Sequence, residues 1–185
     1  MITNVKGDLI KMFKNGAFDA IVHGCNCFHT MGAGIADQIS SNFPQALEAD
    51  KVSLYGDIDK LGRYTIAQAN TGFIINGYTQ YRPGQEDQQR LYASISTLFD
   101  NLARDLADGS KIGIPKLGAG IAGGDWDVIE DLIRIRMTNM RVVVVEYVPP
   151  GQPMSNVRIL KARPAQVKPN VEYKAGSVGL FDNFS

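Results

Sequence analysis

The sequence predicts an α/β protein, a three-layer α/β/α sandwich built on a mainly parallel, mixed sheet. Short β-rich runs alternate with longer helical patterns, which is typical of crossover connections between parallel strands. The run RVVVVEYV at 141–148 is continuously apolar at its centre and favours a strand covered on both faces. Two glycine-rich stretches each join a predicted strand to a predicted helix, where such a sheet binds its ligands.

Six runs carry the β-branched and aromatic residues that favour strands. Five of them are short and punctuated by glycine, asparagine or aspartate, and the sixth is the valine-rich run. The predicted strands lie near Ile2–Lys6, Ala20–His23, Tyr64–Gln68, Phe73–Gly77, Lys111–Ile114 and Arg141–Val148.

Helical periodicity is strongest over Glu86–Leu106, where apolar residues recur every three or four positions and Gly109 follows as a stop signal. A second helix begins near Gly34 and restarts at Pro44, because proline is tolerated in a first helical turn. A third helix begins at Asp125, whose carboxylate suits an N-cap. The apolar stripes of these helices are predicted to pack on the sheet.

Length and composition indicate one folded domain, residues 1–148, followed by a proline-rich tail, residues 149–185, that packs on the domain or on a partner. The 185-residue chain is 44% hydrophobic, enough for a single core. Lys+Arg and Asp+Glu both number 19, so the global charge does not favour strong general nucleic-acid binding. The chain has no long apolar run and no signal-peptide pattern, so we expect a cytoplasmic protein with no membrane partner.

Two cysteines alternate with two histidines in the segment HGCNCFH, a spacing that raises the possibility of a zinc site. In an extended strand, however, His23 and His29 would lie roughly 20 Å apart, too far to share one ion. A disulfide between Cys25 and Cys27 is disfavoured by strain. We therefore predict no metal, no cofactor and reduced thiols.

The two glycine-rich stretches, MGAGIA at 31–36 and GAGIAGGDW at 118–126, predict a phosphate-rich ligand. Glycine lets backbone N–H groups approach a diphosphate, and the helix that follows adds partial positive charge. No GxxxxGK[ST] segment occurs, which excludes a P-loop. A Rossmann oxidoreductase is an alternative, because Gly118, Gly120 and Gly123 spell GxGxxG and Glu146 lies at the end of the next strand. That alternative leaves the first glycine loop unexplained.

Four motifs in order resemble a macro domain, the ADP-ribose-binding α/β/α module: GDL at 7–9, AIVHGCN at 20–26, MGAGIA at 31–36 and IPKLGAGIAGGDW at 114–126. The resemblance covers about residues 1–148 and is strongest to the branch of ADP-ribose 1''-phosphate phosphatases and ALC1-like proteins. It implies ADP-ribose or ADP-ribose 1''-phosphate as the small-molecule partner, and ADP-ribosylated macromolecules as further partners.

The resemblance also implies the ligand-binding residues. Asp8, next to Leu9, accepts the adenine amino group, and Asn26 holds hydroxyls of the distal ribose; a cap or turn role is the structural alternative for each polar residue. The two loops that surround the diphosphate are implied to be Gly32, Ala33, Gly34 and Ile35, and Gly118, Ala119, Gly120, Ile121, Ala122 and Gly123.

The catalytic pattern is less complete. Members that remove ADP-ribose from protein or DNA use a lysine and, in some cases, an acid where this chain has Gln80 and Ala122, so that glycohydrolase route is disfavoured. Phosphatase chemistry is favoured, with His23 as the acid–base candidate by its resemblance to yeast-type phosphatases, although a core histidine is the alternative.

Asn26 and Asp125 complete the catalytic hypothesis, and His29 is a secondary candidate; Asp125 could equally cap its helix. Aromatic and basic residues could shape the distal pocket or be ordinary loop residues: Tyr78, Tyr81 and Arg82. Two functional alternatives stay open. One is a non-catalytic reader of free or conjugated ADP-ribose, and the other is the glycohydrolase.

Overall fold

The computed structural model describes residues 1–149, so the predicted tail lies, apart from Pro149, outside the described residues. No helix within 1–149 is long and apolar enough to cross a membrane. In chain order the elements are β1 (Ile2–Gly7), α1 (Leu9–Lys14), β2 (Ala20–Asn26), α2 (Gly34–Asn42), α3 (Pro44–Val52), a short 3-10 helix (Ile58–Lys60), β3 (Tyr64–Ala69), β4 (Gly72–Gln80), α4 (Gln88–Asp105), β5 (Lys111–Ile114), α5 (Trp126–Arg136) and β6 (Arg141–Tyr147).

The six strands of residues 1–149 form one mixed sheet in the order β1-β6-β5-β2-β4-β3. Only the β3–β4 pair is antiparallel, and the other pairs are parallel. The predicted fold class is therefore confirmed. This strand order differs from that of a Rossmann domain and offers no second mononucleotide-binding half, which removes the support for the oxidoreductase alternative.

Helices cover both faces of the sheet. Side chains of α4 and α5, including Leu98 and Ile133, pack on one face against β6 residues such as Val142 and Val144. On the other face, α1, α2 and α3 contribute Phe13, Ile39 and Ala46, which pack in a second core. The valine-rich run is buried on both faces because Val142 and Val144 pack in the first core and Val143 and Val145 in the second.

The structure differs from the predictions in one additional helix and in several element boundaries. Helix α1 was not predicted, because its six residues are too few to show a helical period. Helix α4 begins at Gln88 rather than Glu86, since the Asp87 carboxylate caps it by accepting from Arg90 N. Strand β2 continues to Asn26, beyond the predicted end at His23.

Candidate functional site

The carboxyl ends of the parallel strands border a cavity of about 330 Å³. Four residues predicted for ligand binding line it: Asp8, Leu9, Gly34 and Ile35. They meet because the β1–α1 junction and the first turn of α2 lie at the same edge of the sheet. The other residues predicted for ligand binding do not line this cavity.

Strand β6 also lines this cavity, through Val145, Glu146 and Tyr147. The motifs did not indicate these residues. The register places Tyr147 beside Gly7, so the end of β6 lies next to the β1–α1 junction. This adjacency follows from the strand order, which no local sequence signal specifies.

A larger cleft of about 440 Å³ opens on the other side of the β1 and β6 ends, beside Trp126. None of the residues predicted for ligand binding lines it. The two cavities share Lys116 and Glu146, whose charged groups lie 3.4 Å apart. Of the two cavities, only the smaller one is bordered by the first turn of α2.

The first glycine loop leads into α2 without a side-chain cap. The N-cap residue is Ala33, which has no polar side-chain atom, and Gly34 adopts a φ of 59°. The amides of Gly34, Ile35 and Ala36 donate no hydrogen bond to any residue within 1–149. Uncapped amides at a helix N-terminus form a site for an anion.

The second glycine loop is held in shape by its own turns. Gly123 N donates to Gly120 O at 3.0 Å, and Gly124 N donates to Gly118 O at 2.9 Å. The amides from Gly120 to Ala122 find no acceptor in the described part of the chain. Glu86 N donates to Ala122 O at 3.2 Å, which joins this loop to the segment after β4.

The packing of the chain itself does not require glycine at Gly32 or Gly120. A Cβ built on either residue meets no atom within 4 Å, and neither has the positive φ that favours glycine. At Gly113, by contrast, a Cβ would approach Phe18 at 2.7 Å. The two open glycines lie one in each glycine loop, where a side chain would occupy the space above the backbone amides.

Asn26 anchors the turn between β2 and the first glycine loop. Its Oδ1 accepts from Phe28 N at 2.8 Å and from Thr30 Oγ1 at 2.9 Å, and its Nδ2 donates to Thr30 O at 2.9 Å. Both oxygen lone pairs are therefore used, and one N–H remains for a ligand hydroxyl. The turn role and the predicted ribose role are compatible.

His23 is fully buried, and the structure does not bring it to the surface of the cavity. Its Nε2 lies 2.8 Å from Asn76 Oδ1, and Cys25 Sγ lies 3.7 Å from the ring. Burial lowers the pKa of His23 to about 4, although the Asn76 contact opposes this shift. These observations favour the core-histidine alternative over an acid–base role.

The hydrogen bonds around His23 run in one direction toward a carboxylate. Asn76 Nδ2 donates to Ala46 O and Thr65 Oγ1, so Asn76 Oδ1 must accept from His23 Nε2. Thr65 then has its proton free for the Tyr78 hydroxyl, which donates to Asp50 Oδ1 at 2.8 Å.

Asp50 and Lys60 are buried together, with Lys60 Nζ 3.7 Å from Asp50 Oδ1. The same Nζ lies 3.3 Å from Cys27 O and 4.2 Å from the centre of the Tyr78 ring. Burial lowers the pKa of Lys60, and Asp50 opposes that shift. Tyr78 is therefore part of a buried polar network, not a pocket-lining residue.

His29 lies at the edge of this network and is half-buried. Its Nε2 is 3.1 Å from Ser53 Oγ, and Ser53 donates its own proton to Asp50 O at 2.6 Å. Ser53 Oγ must therefore accept from His29 Nε2, which leaves Nδ1 of neutral His29 without a proton. Burial is the main cause that lowers the pKa of His29.

The remaining predicted residues lie outside the cavity. The carboxylate of Asp125 accepts from Asp127 N at 2.9 Å, which is the capping role. Gln80 Nε2 donates to Arg82 O at 2.9 Å and to Gly84 O at 3.2 Å, so it shapes the β4–α4 loop. Tyr81 OH donates to Gly56 O at 3.1 Å.

Both cysteines are buried and unpaired. Burial raises the pKa of Cys25 well above its ordinary value and that of Cys27 to about 11. Within 1–149 there is no group of three or more His, Cys, Asp or Glu residues that could hold a metal ion. The thiols therefore contribute packing rather than reactivity at neutral pH.

Comparison with known proteins adds a family and several structural relatives. A family model described as Macro domain matches residues 22–133. An uncharacterised 17.5 kDa protein from the tk-vs intergenic region of Enterobacteria phage T4 is 34% identical over 154 residues. That alignment covers 80% of this chain and 98% of the phage protein.

Solved structures share the fold at low sequence identity. The macrodomain of Thermus aquaticus DarG is 22% identical and has a TM-score of 0.61, with 80% of this chain and 99% of that chain covered. Thermosipho africanus DarTG, solved in complex with ADP-ribose, is 16% identical and has a TM-score of 0.57. The alignment to DarTG covers 83% of this chain and 43% of that chain.

Proposed function

Because the chain belongs to the macro domain family, we propose that it binds ADP-ribose in the crevice at the carboxyl ends of its strands. The observation that carries this proposal is the pair of open glycines, Gly32 and Gly120, which the packing of the chain does not require. A ligand that approaches the backbone amides closely would require them. The complex of Thermosipho africanus DarTG with ADP-ribose supports the same ligand class.

The ligand is proposed to extend along the crevice. Its adenine lies in the cavity beside Asp8 and Leu9, and its diphosphate lies between the first turn of α2 and the second glycine loop. The distal ribose then faces Asn26, which keeps one N–H for it. The Asp8 carboxylate also caps α1 by accepting from Lys11 N at 3.0 Å, which fixes its position.

Binding can be tested with valine substitutions at the two open glycines. We expect Gly120→Val and Gly32→Val to weaken ADP-ribose binding at least tenfold in calorimetry, because the side chains fill the diphosphate space. Urea unfolding should change by less than about 0.5 kcal/mol, since neither site is strained or crowded.

A matched control is Thr138→Val, at an exposed residue in the α5–β6 loop at the opposite edge of the sheet, which should leave binding unchanged. If both glycine variants bind ADP-ribose as tightly as the parent protein does, the proposed site is wrong.

We further propose that the bound substrate is ADP-ribose 1''-phosphate and that the protein hydrolyses its phosphomonoester. The resemblance to the phosphatase branch supports this activity, and Gln80 and Ala122 weigh against the lysine-dependent glycohydrolase. His29 is a better acid–base group than His23, because it is only half-buried and its neutral ring leaves Nδ1 able to accept a proton. Attack by water forms a new P–O bond while the P–O bond to the ribose oxygen breaks; the water proton passes to His29 Nδ1, and the released ribose oxygen takes up a proton from solvent.

The activity test measures phosphate release from ADP-ribose 1''-phosphate. We expect His29→Ala to lower kcat at least about 100-fold, and His23→Gln to change kcat of the folded protein little. The parent activity should fall as the pH drops through the His29 pKa, which lies below its ordinary value of 6.5, because the base becomes protonated.

ADP-ribose binding without phosphate release would favour the alternative function, a non-catalytic reader of free or conjugated ADP-ribose. Release of ADP-ribose from modified protein or DNA would favour the glycohydrolase.

A further inference from the structure

Arg82 is held over two aromatic rings just after β4. Its guanidinium carbon lies 4.9 Å from the centre of the Phe28 ring and 5.3 Å from that of the Tyr81 ring. The two rings themselves meet edge to face, with centres 5.1 Å apart. We call Phe28, Tyr81 and Arg82 the distal cluster. Stacking on aromatic faces reduces the freedom of the arginine side chain before any ligand arrives.

Backbone hydrogen bonds fix the position of the distal cluster. Cys27 N donates to Tyr81 O at 3.0 Å, and Gly56 N donates to Cys27 O at 2.8 Å. The side chain of Gln80 bonds to the carbonyl of Arg82. The ends of β2 and β4 and the loop before the 3-10 helix thus form one supported surface.

The distal cluster lies next to the proposed ribose end of the crevice. Phe28 donates its backbone N–H to Asn26 Oδ1, and Glu86 N donates to Ala122 O in the second glycine loop. The short β4–α4 segment that carries Arg82 therefore spans from the Asn26 turn to that loop. If the distal ribose lies at Asn26, as proposed above, a group attached to it lies beside the distal cluster.

The charge of Arg82 is not compensated by the described residues. The side chain is exposed, and its guanidinium forms no ion pair or hydrogen bond within 1–149. The nearest acid along the chain, Glu86, is already bound by the backbone N–H groups of Tyr81 and Asp87 and by Arg90. All five guanidinium N–H donors are therefore available to an anion.

We propose that Arg82 binds a phosphomonoester carried by the distal ribose and so makes the site prefer ADP-ribose 1''-phosphate to ADP-ribose. The fork of guanidinium donors matches the oxygens of a phosphate, and stacking on Phe28 and Tyr81 pre-orients it. ADP-ribose itself carries a neutral hydroxyl at the position where ADP-ribose 1''-phosphate carries the phosphate, so it offers Arg82 no anionic group. This inference rests on the proposed binding of ADP-ribose, not on turnover.

The test compares the dissociation constants of the two ligands by calorimetry in a His29→Ala background, which prevents consumption of the phosphomonoester. That protein should bind ADP-ribose 1''-phosphate at least tenfold more tightly than ADP-ribose. Adding Arg82→Ala should weaken binding of the phosphomonoester about 10- to 100-fold and change ADP-ribose binding less than twofold. Arg82→Lys should give an intermediate loss, since the charge remains but the fork is gone.

The matched control is Arg136→Ala, which removes an exposed arginine at the far end of α5 and should leave both dissociation constants unchanged. The Arg82 proposal alone is overturned if the Arg82→Ala protein keeps the full preference for ADP-ribose 1''-phosphate over ADP-ribose. It is also overturned if the substitution weakens binding of both ligands equally. Failure of the His29→Ala protein to bind either ligand overturns the Arg82 proposal; if the parent protein also fails to bind ADP-ribose, the proposed function is overturned as well.

Discussion

At the scale of single residues, the burial of His23 makes the stability of the fold depend on pH. The neutral ring is fully buried against Asn76, and its pKa is about 4, below the ordinary value of 6.5. The unfolded chain therefore binds more protons than the folded one between these two values. The stabilisation is complete above pH 6.5 and is lost progressively as the pH falls toward 4.

We predict that His23 alone makes the free energy of unfolding about 3 kcal/mol smaller at pH 4 than at pH 7. Urea unfolding at a series of pH values measures this loss. His23→Gln keeps a donor for Asn76 without a titrating group, so its stability should be lower at pH 7 but should vary less between pH 6.5 and 4. Identical pH profiles for the two proteins would contradict the assignment.

The motifs of the family resemblance supplied the predicted ligand-binding residues, and four of them lie together in the structure. Asp8, Leu9, Gly34 and Ile35 do line one cavity. The sequence left His23 open between a core position and an acid–base role, because almost every residue of β2 is buried and the strand shows no alternation that separates an inner from an outer face.

At the scale of elements, one buried ion pair links the end of α3 to the short 3-10 helix. Lys60 and Asp50 are both fully buried, and Tyr78 on β4 contacts both of them. The two charges compensate each other where neither can reach water. The 3-10 helix is thus attached to the sheet by an interaction that cannot be broken without exposing or isolating a charge.

We predict that Lys60→Met lowers the free energy of unfolding by about 3–5 kcal/mol, because it leaves the Asp50 carboxylate buried without a counter-charge. Urea unfolding at pH 7 measures the change. Arg136→Met, which breaks the exposed pair with Asp100, serves as the control and should cost less than about 1 kcal/mol.

The double variant Lys60→Met with Asp50→Asn removes both charges and should recover part of the stability lost in the single variant. Additive effects of the two substitutions would argue against a coupled pair.

The elements themselves were largely predictable, because periodicity and caps are local signals. The stripe of α4 and the capping residue Asp125 appear where the sequence places them. The buried pair was not predictable, since Asp50 and Lys60 read as ordinary surface charges until α3 and the 3-10 helix are placed against β4.

At the scale of the whole molecule, the class of the fold followed from the alternation of strands and helices, and the family resemblance supplied the ligand. The order of the strands in the sheet could not be predicted from the sequence. The contribution of Tyr147 to the cavity depends on β6 lying beside β1, and that pairing joins residues from opposite ends of the described chain. Pairing at such separation leaves no trace in a local pattern.

The position of β1 at the edge of the sheet has a consequence during protein synthesis. Among the strands of residues 1–149, its one neighbour in the sheet is β6, and Ile2 pairs with Val142. During synthesis β1 therefore cannot form this pairing until β6, at the other end of the described residues, has been translated. An exposed β-strand in a nascent chain can pair with other chains, so the cell has to keep it from aggregating until synthesis reaches β6.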